Sequence, residues 1–424
     1  MKIFLLAVLI FSSGSLFCQS SISGKVVSDK GEGLHGASVF ISNTKIGTTT
    51  NANGEFTLEH LPNGNIQLVI TFVGYETTTA FIVASDRNKK FIIKMQPLNN
   101  ELQDVVVGNF DKRGWQKWGK IFTEAFLGTS VFAKNCLITD TDAVNFSYNK
   151  KTNILRAYAY KPILIDNNAL GYHVAVTLAD FSYEVNTKIV DYQTYTLFTD
   201  IDGTEDQQLE WNANRQKVYN YSLLHFMRAL YNNNLKNEGF YVRRIENKPN
   251  IEKQRVQAIY NNKYEQIRDS LKSITDNEAS INKQVEKLFN KDSLTYYKAV
   301  LEEADETTDL HFEPVNFKDI AKFTDSNTVI FHFNNDLQVT YVKEKEPEEY
   351  LQYRRSLYLK NSLITKDDVN SISLGYPNTI LSLSQGIPVE ISEDGYFTNI
   401  DLFMNGFWGW WEKMAVTLPY EYEP

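Results

Sequence analysis

The sequence predicts a mainly β chain with helical additions, of the α+β class, in which a small N-terminal β-sandwich precedes a larger β-rich domain. Three observations predict this. Short alternating apolar runs separated by Gly and Asn turns recur over residues 21–97, the pattern of short strands packed as a sandwich. Aromatic content is high, at 13 % with 24 Tyr and 26 Phe, and such side chains suit half-buried strands. Beyond Gly114 the apolar spacing changes in places to three and four, which marks amphipathic helices. A length of 424 residues also favours two domains.

At the start, Met1-Lys2, the apolar run Ile3 to Phe11 and the polar residues Ser12 to Ser15 read as a secretory signal peptide over 1–18. The expectation is an exported chain, periplasmic or associated with the outer membrane. A membrane span needs roughly 20 apolar residues, and no later stretch reaches that length without charges, so no transmembrane span is expected in the mature chain. Cys18 follows Leu16-Phe17 where a lipid-anchoring motif needs a small residue, which argues against a lipid anchor and for cleavage between Cys18 and Gln19. Cys136 then stands alone, and its neighbours Leu137-Ile138 favour a buried thiol over a nucleophile. A net charge of −9 argues against nucleic acid as a partner, since phosphate neutralisation needs a basic surface.

The sandwich is expected over 19–97. Ile22-Gly24-Val26 alternates and runs into the turn Asp29 to Gly33. Ala37-Val39-Ile41 follows, then a turn near Asn43 and the run Gly47 to Thr50. Asn51-Ala52-Asn53-Gly54 is a strong turn signal, because Asn and Gly tolerate positive φ. After Phe56-Leu58 and the break Leu61 to Gly64, Ile66-Leu68-Ile70-Phe72 alternates, Gly74-Tyr75 bends, and Phe91-Ile93-Met95 closes the set. About seven short strands result.

Four phrases in this order, Ser23 to Val27, Leu34 to Val39, Gly47 to Phe56 and Phe72 to Glu76, resemble the carboxypeptidase-D regulatory-like family. The resemblance implies a transthyretin-like fold and an envelope protein of Gram-negative type, a carboxypeptidase-like regulatory domain-containing protein. It does not imply peptidase chemistry. A zinc carboxypeptidase needs His-x-x-Glu and a distant His, and none of the six histidines has Glu three residues on. Glu101 to Gly108, inside a linker expected over 98–113, resembles the segment joining this sandwich to TonB-dependent receptors, where it can form a TonB-contacting strand. The plainer reading is a linker strand.

The remainder, 114–424, is expected as a β-rich domain. An amphipathic helix is predicted over 114–127, strands at Val144 to Tyr148, Ile154 to Ile165, Tyr172 to Tyr183 and Lys188 to Phe198, and one helix from Tyr219 to a Gly239 cap. Phrases such as Lys161 to Asn167, Leu224 to Tyr231 and Leu418 to Tyr422 resemble a broad set of envelope proteins carrying the same sandwich, which implies context and no mechanism. Val256, Tyr260, Tyr264, Ile267, Leu271, Ile274, Glu278, Ile281, Val285 and Leu288 recur mostly at fours and threes, a heptad seam broken at Glu278. Thr275 and Glu278 make a capping box, so the segment at about 252–304 is expected as a helical hairpin folded near 275, with one long coiled-coil helix as the alternative. After Pro314 strands are expected at Thr328 to Phe333, Leu337 to Val342, Tyr353 to Leu359, Ser371 to Tyr376 and Val389 to Ile391.

No catalytic constellation is legible. Gly31 to Gly36 satisfies G-x-G-x-x-G, yet a strand follows it where dinucleotide binding needs a helix. Asp140-Thr141-Asp142 and Asp200 to Asp206 miss the calcium-loop spacing and read as solvated turns, and His225 reads as a hydrogen-bonded core residue. No catalytic residue, cofactor or metal is therefore assigned. Trp408, Trp410 and Trp411 are candidate contacts for a glycan, and Ile267 and Leu271 on the seam are candidate contacts for an envelope protein. The expected function is a non-catalytic envelope binding or scaffolding protein. A hydrolase of envelope polysaccharide or peptide and an accessory of a TonB-dependent system are the alternatives.

Overall fold

A computed structural model describes residues 21–62, 64–87, 89–98, 110–272, 291–324, 328–359, 366–397 and 402–424. The expected signal segment, Cys18, Glu101 to Gly108, the seam residues from Ile274 to Leu288 and the expected fold near 275 lie outside the described residues. Helices and several sheets alternate along the chain, in a β-rich protein with helical additions.

Among the described residues the sandwich has seven strands: β1 (Ile22–Val27), β2 (Ser38–Ile41), β3 (Gly47–Thr49), β4 (Glu55–Leu58), β5 (Ile66–Thr71), β6 (Thr78–Ile82) and β7 (Lys90–Lys94). One sheet runs β4-β1-β7 and the other β3-β2-β5-β6. Inward residues from both, including Ile22, Val26, Val39, Phe56, Leu68 and Met95, make a core of their own. The Asn51 turn closes through Gly54 at φ 78°, where an added Cβ would lie 2.4 Å from the Val26 carbonyl oxygen; only glycine fits that approach.

The body begins with α1 (Gly114–Phe126), which buries Trp118, Phe122 and Phe126. Phe122 meets Phe146 and Phe181 edge-on at 5.6 and 5.0 Å, a favoured aromatic geometry. Six strands follow: β8 (Cys136–Ile138), β9 (Val144–Asn149), β10 (Ile154–Ala159), β11 (Ile163–Asn167), β12 (Tyr172–Glu184) and β13 (Val190–Asp200). The single strand expected from Ile154 to Ile165 is two. Pro162 has no N–H for a ladder, and the chain breaks there into β10 and β11, which pair with opposite ends of β12 while β13 pairs along most of its length.

The helix expected from Tyr219 to Gly239 is also divided. A helix absent from the sequence reading, α2 (Glu205–Tyr219), ends there; α3 (Leu223–Tyr231) restarts on the Ser222 cap, and α4 (Leu235–Glu238) ends at Gly239 with φ 94°. Next, β14 (Phe240–Pro249) leads into α5 (Ile251–Lys272), and α6 (Lys291–Glu302) returns into β15 (Glu306–Pro314), antiparallel to β14. Leu271 packs in one cluster with Ile267, Leu294 and Tyr297, so the described parts form a helical hairpin on a β-ribbon.

The remaining elements are α7 (Phe317–Ile320), β16 (Ala321–Phe323), β17 (Val329–Phe331), β18 (Asp336–Tyr341), α8 (Glu348–Tyr358), α9 (Lys366–Ser371), β19 (Asn378–Leu383), β20 (Val389–Ile391), β21 (Leu402–Gly406) and α10 (Phe407–Trp411). Two sheets result, β15-β14-β18-β19-β21 and β16-β17-β20. The strand expected at Tyr353 to Leu359 is instead the second half of α8: Pro347 precedes its first turn, Glu348 and Glu349 occupy the positive end, and Leu, Gln and Arg favour helix. Residues 372–376 form no strand either. Their carbonyls are taken by side chains, Ile372 by Arg355 at 2.7 Å and Ser373 by Arg354 at 3.1 Å, which removes them from any ladder. Both halves of the body share one apolar core.

Candidate functional site

The sandwich meets the body through the turn after β2. On β2 and β5, Val39, Ile41, Leu68 and Ile70 face the sandwich core, whereas Phe40 and Val69 point outward and pack on Tyr195 and Leu197 of β13. Asn43 adopts φ 59°, a left-handed conformation that Asn tolerates. Its N–H donates to Thr196 O at 2.8 Å, and Phe198 N donates to Thr44 O at 2.9 Å. The Thr196 hydroxyl bonds the Asn43 side chain.

The C-terminal segment completes this junction. Tyr420 N donates to Asn43 O at 2.9 Å, and Lys45 N donates to Glu421 Oε1 at 2.8 Å. Arg228 of α3 fixes the segment from the body side, donating to the carbonyls of Tyr420 at 2.9 Å and of Tyr422 and Asp394 at 2.8 Å. Asn167, fully buried, donates to Ala415 O at 3.0 Å. At Gly395, φ 84°, an added Cβ would lie 2.8 Å from Leu224 Cδ1, so the loop after β20 presses directly on α3.

These contacts border a half-open cavity of about 170 Å³. Asn43 contributes from the sandwich, Thr194 from β13, and Ser222, Leu223 and Leu224 from the start of α3; the C-terminal segment adds Glu412, Met414, Val416, Leu418 and Tyr420. Glu412 is the carboxylate of the lining. Its Oε1 accepts Leu223 N at 2.8 Å, a placement that the unsatisfied N–H groups of a helix start favour. Among the described residues its other oxygen has no hydrogen-bond partner. Burial pushes Glu412 up to about 7 and lowers its neighbour Lys413 to about 8, because the interior disfavours both charged forms. The Ser222 hydroxyl donates to Tyr219 O at 2.9 Å and accepts His225 N at 3.1 Å; it is a helix cap, without a side-chain base beside it.

Trp408, Trp410 and Trp411 do not form a sugar platform. They are 2, 8 and 2 % exposed. Trp408 Nε1 donates to Tyr221 O at 2.6 Å and Trp410 Nε1 to Thr129 Oγ1 at 3.0 Å, and the Trp411 ring is packed by Phe132, Tyr221 and Phe407. Their apolar area is spent on the body core, which leaves no face for a glycan. Ile267 and Leu271 likewise face the returning helix α6, with Leu271 8 % exposed. At these residues the seam is covered by the chain itself and supplies no free surface.

The other singled-out residues are structural in their contacts. His225 is buried, with Nδ1 on Asn220 O and Nε2 3.2 Å from Glu238 Oε2; burial lowers its pKa. Burial pushes the Cys136 thiol up to about 12, far from a reactive thiolate. Asp140 pairs with Lys161 at 2.5 Å and Asp200 with Lys45 at 3.1 Å. No group of three potential metal ligands occurs among the described residues. Sequence reasoning missed Glu412, Asn43 and Arg228. The one available signal was the charged pair Glu412-Lys413 set inside the apolar run from Phe407 to Val416.

Residues 22–107 match the family model of the CarboxypepD_reg-like domain, and the N-terminal sandwich is a domain of that family. No curated protein matches the chain. Among solved structures, the Bacillus anthracis TIE protein is similar over 44 % of this chain and 32 % of its own, at 15 % identity and a TM-score of 0.15. The chain thus spans about a third of that protein's length. No helix among the described residues is long and apolar enough to cross a membrane.

Proposed function

We propose that this chain is an exported, non-catalytic binding protein of the cell envelope, in which the regulatory-like sandwich and the body act as one unit around the junction cavity. One observation carries the reading: the cavity takes its walls from the sandwich, the body and the C-terminal segment together, and pockets built where domains meet are the usual place for a ligand. The character of the site supports binding over turnover. Glu412 lines it without a nucleophile paired to a base, and a general acid or base acts only with a reacting partner in reach. Export is supported by the n-region and apolar run of Met1 to Phe11.

The experiment is a ligand-observed NMR screen of small polar and amphiphilic molecules against the chain from Gln19. Hits are expected to return unchanged after prolonged incubation and to disappear with Thr194→Trp, which fills the cavity. Conversion of a hit, or binding untouched by Thr194→Trp, overturns the reading. Edman or mass analysis of the protein from the envelope fraction tests export separately, with Gln19 the expected first residue.

A further inference from the structure

We infer that the junction cavity is a site for a small primary ammonium compound, its charge on the free oxygen of Glu412 and its alkyl part against Met414, Val416 and Leu418. This rests on the binding reading above and adds the chemical class.

The geometry selects the class in steps. Leu223 N–H holds Oε1 of Glu412, so one carboxylate oxygen is oriented, and Glu412 lines the cavity. A guanidinium binds carboxylate best through two parallel bonds, and the Leu223 N–H already takes one acceptor site of Oε1, which disfavours that fork. An ammonium is a compact point charge with three donors. Thr194 and Tyr420, both hydroxyl-bearing, line the same cavity. Calcium would need six to eight oxygens, more than a lining that includes Leu223, Leu224 and Phe397 provides. An anion would meet a carboxyl and no lining cation.

Size narrows the choice further. The volume of about 170 Å³ is near the ~150 Å³ of an engineered cavity that holds benzene, so a ligand of roughly five to eight heavy atoms fits. Desolvation supports the same conclusion. A carboxylate partly withdrawn from water gains from pairing, and an entering ammonium provides the pair; Lys413, Tyr420 and Tyr192 are the titratable groups that face Glu412, and no ion pair to it occurs among the described residues.

The test compares n-pentylamine with n-pentanol by isothermal titration calorimetry on the chain from Gln19 at pH 8. The amine is expected to bind at least tenfold more tightly than the alcohol, and Glu412→Gln to erase that preference. Equal or tighter binding of the alcohol overturns the ammonium assignment and leaves the binding reading standing. Failure of both, with no hit in the wider screen, means ordered water only and overturns both. Should Glu412→Gln not fold, as judged by circular dichroism, the amine-to-alcohol ratio on the native chain decides alone.

Discussion

Arg228 donates to the carbonyl of Tyr420 at 2.9 Å, so a helix inside the body holds the strap that reaches the sandwich. The same guanidinium also grips Tyr422 and Asp394. Lysine carries the charge without the planar fork and cannot serve three carbonyls in this arrangement. Arg228→Lys is expected to cost about 2–3 kcal/mol, on the scale of charged hydrogen bonds, read as a lower urea midpoint. Limited proteolysis should then cut within 418–424 before the body unfolds. An unchanged midpoint and cleavage pattern would refute the role.

Asn43 gives a paired test. Asn43→Gly keeps the left-handed backbone at φ 59° and removes the side-chain link to Thr196. Asn43→Ala removes both. The alanine variant is expected to be the less stable by about 1 kcal/mol, the usual cost of that backbone region for a residue with a Cβ. Equal stabilities by chemical denaturation would mean that the turn relaxes.

The Glu412 carboxyl predicts an acid-favoured contribution. Its folded value of about 7 lies above the ordinary 4.5, so the folded state holds the proton where the unfolded state has released it. The contribution is fully present below pH 4.5 and is lost as pH rises through 7. Unfolding free energy should fall between pH 5 and 8 by up to about 3 kcal/mol from this group, and Glu412→Gln should flatten that slope. Asp394, raised by burial to about 6, adds in the same direction. A wild-type slope identical to that of the variant would count against the assignment.

Burial of the tryptophans is equally checkable. Trp408, Trp410 and Trp411 lie in the core, so acrylamide should quench a minor part of the fluorescence, and a glycan panel should leave it unchanged. Truncating Trp408 to Ala should destabilise the protein by about 3–5 kcal/mol, as for other buried aromatics. Strong quenching at low acrylamide would contradict the packing.

The sequence made the sandwich legible because turn residues and alternation agree there, as at Asn51 to Gly54. Two of its strands carried a further message that alternation alone hides. Val39-Phe40-Ile41 and Leu68-Val69-Ile70 are apolar without a break, and the reason is burial on both faces. By contrast α2 had no apolar stripe to read. It is held by Trp211 Nε1, Asn214 Nδ2 and Arg215 Nε donating to the carbonyls of Asn168, Ala169 and Leu170 at 2.8, 2.9 and 2.7 Å, and such tertiary bonds leave no periodicity. The cavity was illegible for a related reason: positions 43, 194, 223 and 412 meet only in the fold.

Lys45 and Glu421 bond across a separation of 376 positions, and this has a consequence for synthesis. The sandwich has its own core and can collapse before the body is complete, since domains fold as units in the order they emerge. Its docking on β13 needs residues up to Phe198, and only the closing bonds wait for the strap. Phe40 and Val69 can be covered as soon as β13 is in place, so a chain cut short of the strap would keep its docked faces and lose the closing bonds of Tyr420 and Glu421.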